Sequence, residues 1–155
     1  MTPFIRRLTS WRQTVQSLGV ETMPARPATI LIAEDETPLR DLLTKILHNY
    51  HLLVAADAKE ALYLAEQHDG PISLLLSDVT MPELSGIELA RRITAQRPET
   101  KVVLTSAYWR HNWVMDRSWH LIPKPYMPSQ LLDAVTQVLE PTVTKPGAPE
   151  LDGDS

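Results

Sequence analysis

Short unbroken apolar runs, each followed by a stretch with helical periodicity, recur along residues 29–140, and this rhythm constrains the fold more than any other feature. The runs are Thr29–Ala33, His51–Ala56, Ile72–Ser77, Lys101–Thr105 and Trp119–Pro123. A strand with one wet face alternates apolar with polar residues, whereas continuous Ile, Leu and Val suit strands covered on both faces. Between the first two runs, Leu39, Leu42, Leu43, Ile46 and Leu47 line one face of a helix. Thr37 is the expected N-cap, with Pro38 at the first helical position. Asp57-x-x-Glu60 and Ser85-x-x-Glu88 read as capping boxes that open the next helices. A last helix enters at Pro128 and carries Leu131, Leu132, Val135, Val138 and Leu139 on its apolar face. Five β-then-α units with right-handed crossovers predict an α/β, doubly wound, five-stranded parallel sheet with helices on both faces.

The flanks differ from this middle part. Residues 1–28 carry four arginines against one glutamate, and Phe4, Leu8, Trp11, Val15 and Leu18 step at heptad spacing. They read as an extension with an amphipathic helix that pairs with its twin or docks on a partner, followed by a stiff Pro24-Ala25-Arg26-Pro27 linker. Residues 141–155 are Pro-rich and acidic and are expected to be a disordered tail. The absence of cysteine excludes disulfides, thiolate metal sites and a cysteine nucleophile. No apolar run is long enough to span a membrane. A net charge of −4 argues against a general nucleic-acid surface. With only 5 glycines there is neither a G-x-G-x-x-G nor a G-x-x-x-x-G-K-[ST] phosphate loop.

In a doubly wound sheet, ligands bind beyond the carboxyl ends of the strands. Glu34-Asp35-Glu36 follow the first strand, Asp78 ends the third, Thr105-Ser106 end the fourth, and Lys124 follows the fifth between two prolines. Clustered carboxylates repel one another, by about 4 kcal/mol per pair at 4 Å and an effective dielectric near 20. Lys124 offsets one charge, and a hard divalent cation such as Mg²⁺ is suited to offset the rest, because the donors are all oxygen. A carboxylate, a divalent cation, a lysine and a hydroxyl together suit an incoming phosphoryl group, with the carboxylate as nucleophile.

The segments Glu34-Asp35, Ser77-Asp78-Val79-Thr80-Met81-Pro82 with Gly86, Leu104-Thr105-Ser106-Ala107 and Lys124-Pro125-Tyr126 together resemble the receiver domain of two-component response regulators, over residues 29–140. The resemblance implies a flavodoxin-like fold with strand order 2-1-3-4-5. It makes Asp78 the phosphoacceptor, charged from a phosphohistidine on a histidine kinase or phosphotransfer protein. Asp35 and Asp78 would bind Mg²⁺ directly, the backbone carbonyl of Thr80 would join them, and Glu34 would act through water. Ser106 would hydrogen-bond the phosphoryl group, Lys124 would pair with it, and the bond before Pro125 would be cis. The chain would be cytoplasmic, and no enzyme beyond its own phosphoryl transfer and dephosphorylation. Its output would be binding to a downstream protein, or a homodimer formed through the N-terminal helix or the helix between the fourth and fifth strands.

Two departures concern output. Leu121 stands where the family usually has an aromatic switch residue, and the span from Ser106 to Lys124 is short, which predicts a short or irregular helix there. That span holds Tyr108, Trp109, Trp113 and Trp119, an aromatic group that reads either as a partner patch or, for the tryptophans, as core filler for a short helix, with Tyr108 placed to screen a phosphoryl group from water. Two other functions fit less well. A degenerate receiver would work as an interaction module without phosphate, yet every chemical position is filled. An aspartyl-phosphate hydrolase usually carries a second Asp two residues after the nucleophile, where this chain has Thr80.

Overall fold

The computed structural model describes residues 27–108 and 113–140. The expected N-terminal helix, Trp109 and the acidic tail lie outside the described residues. The elements are β1 (Thr29–Ala33), α1 (Thr37–Ile46), β2 (His51–Ala55), α2 (Ala58–Gln67), β3 (Leu74–Asp78), α3 (Gly86–Gln96), β4 (Lys101–Ser106), β5 (His120–Pro123) and α4 (Pro128–Leu139). All neighbouring strands pair in parallel, in the order β2-β1-β3-β4-β5, as the sequence predicts.

The apolar runs become strands because both faces of the sheet are covered. Leu31, Ala33, Leu75, Val102 and Leu104 pack against α2 and α3 through Ala58, Ala61, Ala65, Ile87, Ala90 and Ile93. Ile30, Ile32, Leu74, Leu76 and Val103 face the other way, against Leu43 and Leu47 at α1 and Leu131 and Val135 of α4. Side chains alternate along a strand, so Glu34 continues the face of Ile30 and Ile32, and Asp78 continues that of Leu74 and Leu76.

Three local expectations need correction. α1 begins one residue early, at Thr37, with Glu36 as a cap that makes no side-chain bond. The Thr37 hydroxyl instead accepts from Arg40 Nη2 at 3.3 Å. The boxes at α2 and α3 are only partly formed. Asp57 Oδ1 accepts from Glu60 N at 2.7 Å, but Glu60 returns to Ala56 N. Ser85 Oγ accepts from Glu88 N at 3.2 Å, while Glu88 pairs with Arg91 and Arg92, whose charges compete for its carboxylate. Finally, among the described residues four helices are seen and none joins β4 to β5, where a short or irregular one is expected; residues 109–112 of that span lie outside the described residues. Asp116 closes a turn there by accepting from Ser118 N at 2.8 Å, and Arg91 Nη2 donates to Val114 O at 2.8 Å, so the described parts of this segment, residues 107–108 and 113–119, form an irregular strap. Among the described residues no helix is long and apolar enough to cross a membrane.

Candidate functional site

The ladders run one rung past the strand ends, and those extra rungs carry the polar residues. Glu34 N donates to Ala55 O at 3.1 Å, Val79 N to Thr105 O at 2.9 Å, and Lys124 N to Ser106 O at 2.8 Å. Glu34, just past β1, and Asp78, at the end of β3, therefore stand side by side at the ends of adjacent strands and on one face. Lys124 comes from two strands beyond β3, across the small carboxyl end of β4 at Ser106 and Ala107. Its Nζ donates to Asp78 Oδ2 at 2.7 Å and to Glu34 Oε1 at 3.3 Å. Among the described residues the lysine is the one cation paired with these two carboxylates, and both are deeply buried, Glu34 to 1% exposure and Asp78 to 7%.

Charge balance is incomplete. Carboxylate oxygens of Glu34, Asp35 and Asp78 lie within 4.8 Å of one another, against a single ammonium. Burial pushes the Glu34 carboxyl up to about 7, with the Asp78 and Asp35 charges adding repulsion and Lys124 pulling the other way. Burial works against the Lys124 ammonium, but the hydrogen bond to Asp78 and the charges of Glu34 and Asp78 outweigh it and hold the lysine above its ordinary value. Asp35 remains exposed at the rim. An all-oxygen donor set with surplus negative charge and one open side fits a hard divalent cation such as Mg²⁺.

The loop after β3 is fitted closely to this cluster. Thr80 N donates to Asp78 Oδ1 at 3.1 Å, so the Thr80 backbone is drawn to the site. Gly86 N donates to Val79 O at 2.8 Å. A Cβ on Gly86 would lie 2.0 Å from Asp78 O, which leaves no room for any side chain there. Glu83 sits at φ 69°, and Leu84 N closes back on Pro82 O at 2.8 Å, a tight turn that stores backbone strain. The Lys124–Pro125 peptide is cis, as expected.

Ser106 is arranged differently from the other predicted residues. Alternation puts it on the face of Val102 and Leu104, opposite that of Asp78. Its Oγ donates to Tyr108 O at 2.7 Å and accepts from Tyr108 N at 3.1 Å, so the hydroxyl is engaged by the strap. Tyr108 is 71% exposed. Trp113, Trp119 and Leu121, all partly buried, pack against the α2–α3 core cluster, and Trp109 lies outside the described residues. Among the described residues of this segment, Trp113, Met115 and Trp119 are partly buried against the nearest apolar surface, while Val114 is 74% exposed.

Sequence reasoning missed two residues beside the site. Arg40 Nη1 donates to Glu34 O at 2.9 Å and fixes the backbone of the acidic segment. Its place one turn into α1 was a signal only in hindsight of the fold. Tyr126 has its hydroxyl buried with no hydrogen-bond partner, and burial pushes the phenol up to about 12.

Residues 30–136 match the response regulator receiver domain family. Among known proteins, the sensor kinase CckA of Brucella abortus (strain 2308) is 33% identical over 119 residues, 73% of this chain and 13% of that protein. The response regulator receiver protein CpdR of the same strain is 40% identical over 84 residues, 51% of this chain and 66% of that protein. The match to the hydrogenase transcriptional regulatory protein HoxA of Cupriavidus necator spans 25% of HoxA, so the chain corresponds to a small part of the larger relatives. Among solved structures, the receiver domain of the hybrid histidine kinase CckA superposes with a TM-score of 0.65 at 33% identity, covering 73% of this chain and all (100%) of that one. A CheY-like receiver domain protein from Methanospirillum hungatei JF-1 gives 0.66 at 28% identity, covering 74% and 95%.

Proposed function

The chain belongs to the response regulator receiver domain family, and from that premise we propose that it is a phosphoryl-accepting signalling module that is phosphorylated on Asp78. The observation that carries this reading is the convergence of Lys124 on Asp78 and Glu34 from two strands away. A lysine and a structural carboxylate alone would form an ordinary ion pair. Here a second buried carboxylate and a third at the rim leave negative charge uncompensated beside the proposed nucleophile. Such a cluster costs stability, and a function that needs the charge explains why it is kept.

Asp35, Asp78 and the Thr80 carbonyl would hold Mg²⁺, with Glu34 assisting through water. Bound there, Mg²⁺ supplies positive charge to the equatorial oxygens of the transferring group. Lys124 neutralises a further oxygen of that group. In the transfer, an Asp78 carboxylate oxygen forms the new bond to phosphorus while the phosphorus–nitrogen bond of a donor phosphohistidine breaks. The bonding pair leaves on the imidazole nitrogen. The donor is a histidine kinase or a histidine phosphotransfer protein, in the cytoplasm.

Ser106 accounts for how the event is passed on. Its hydroxyl now binds the backbone of Tyr108. Turning to a phosphoryl oxygen requires it to release that backbone, which loosens the strap between β4 and β5. Leu121 has no polar group or aromatic ring to rotate, so the strap, with exposed Tyr108 at its start, is the moving part and offers the surface for a downstream protein. The test is tryptophan fluorescence on addition of Mg²⁺ and beryllofluoride. Trp113 and Trp119 report on the strap, so a change is expected in the wild type and a much smaller one in Ser106→Ala. An equal response in both proteins would contradict this route.

A further inference from the structure

The opposite end of the sheet holds a second cluster of ligand-type side chains. His51 opens β2, and His68 caps the carboxyl end of α2. Their ring centroids lie 5.8 Å apart. Both rings line a cavity of about 470 Å³, together with Thr29, Asp69, Gly70 and Ser73. We propose that His51 and His68 form a two-imidazole site for a borderline divalent cation of the Zn²⁺ type.

Three observations support it. First, His51 Nδ1 is hydrogen-bonded to Thr29 Oγ1 at 3.2 Å. In the tautomer that carries its proton on Nδ1, the ring donates to the threonine and keeps Nε2 as its free lone pair, the arrangement in which metal-binding imidazoles are oriented by a neighbour. Second, the turn that carries His68 is fixed. Arg97 donates to Ala65 O at 3.0 Å, to His68 O at 2.9 Å and to Gly70 O at 2.7 Å, and Gly70 takes φ +107° to close the turn. A rigid turn lowers the entropy cost of bringing the rings onto one ion. Third, the chemistry differs from that of the acidic cluster. Imidazole nitrogen selects zinc-like ions, whereas the carboxylate set selects magnesium, so the two ends are not competing sites for one ion.

The Asp69 carboxylate lines the same cavity but does not converge with the two rings as the acidic trio does. Water would therefore complete the coordination. An ion held there ties the edge strand β2 to the end of α2.

The experiment uses the full chain with Mg²⁺ in excess, and follows imidazole resonances by ¹⁵N-edited NMR as Zn²⁺ is added. Shifts are expected at His51 and His68, with those of His48 and His120 unmoved. His51→Gln and His68→Gln each abolish the shift at the remaining ring. Thr29→Val keeps both rings but loses the orienting hydroxyl, and is expected to weaken binding about tenfold. Shifts spread over all histidines, or wild-type affinity in Thr29→Val, would show an adventitious ion only and overturn the proposal.

Discussion

The two ends of the sheet are built from the same parallel ladder and treat charge in opposite ways. At the amino end, polar groups are matched to neutral backbone. Arg97 is spent on three carbonyls, and Thr100 Oγ1 donates to Ile72 O at 2.8 Å. At the carboxyl end, buried carboxylates face each other with one lysine between them. The first arrangement maximises stability, because each buried donor finds an acceptor. The second keeps repulsion within the fold, which a bound cation or an incoming phosphoryl group can use. The same contrast separates structural from chemical residues without reference to any relative.

The largest effect is expected at the acidic end, from Gly86→Ala. The new methyl would meet the backbone of Asp78, which cannot move without dislocating the nucleophile. We expect a loss of about 3 kcal/mol or more in denaturant unfolding. A loss within a few tenths of a kcal/mol would mean that the loop is not closely fitted to Asp78.

Glu34→Gln tests the stored repulsion through pH. The folded-state value of Glu34, about 7, lies above its ordinary value of 4.5. Between these values the folded chain binds the proton and the unfolded chain does not. The Glu34 contribution therefore favours folding at low pH and is lost as pH rises from 4.5 to about 7, by up to about 3 kcal/mol. The stability difference between Glu34→Gln and wild type should thus grow in favour of the variant over this window, in metal-free buffer. Mg²⁺ should shrink it. A difference independent of pH would show that Glu34 is adequately paired by Lys124.

Arg97→Ala tests the other end. Three carbonyls lose a charged donor, and a cost of about 2 kcal/mol is expected with no change in phosphorylation at Asp78. A change in phosphorylation would mean that the two ends are coupled. The smallest effect is expected from Glu83→Gly. Relief of the positive φ should stabilise the chain by about 0.5–1 kcal/mol, net of the glycine's extra unfolded-state entropy, as read from the thermal midpoint. A destabilisation would place the Glu83 side chain in an interaction of its own.

Much of this contrast was legible in the sequence because it depends on order and period. Five apolar runs gave the strands, and the residues after each run gave Glu34, Asp35, Asp78 and Lys124, since a parallel sheet gathers strand ends at one edge. What escaped depends on packing between segments remote in sequence. Nothing near Arg97 shows that it will find the carbonyls of residues 65, 68 and 70. Nothing near Trp113 decides between a partner patch and core filler, and it is packing that sets its ring partly buried against the α2–α3 cluster. The Thr37 cap failed for a local reason: the helix begins at Thr37 itself, which moves the cap position back to Glu36. Ser106 was found, but its present partner, the Tyr108 backbone, follows from a side-chain rotation that sequence does not specify.

The central claim is that Asp78 accepts a phosphoryl group in the pocket it shares with Lys124. Incubation with Mg²⁺ and acetyl phosphate, followed by intact mass measurement and mapping of the adduct, tests it directly. The account predicts one base-labile phosphoryl group on Asp78 in the wild type, dependent on Mg²⁺, and none in Asp78→Asn. No adduct in the wild type, or an equal adduct in Asp78→Asn, would contradict it.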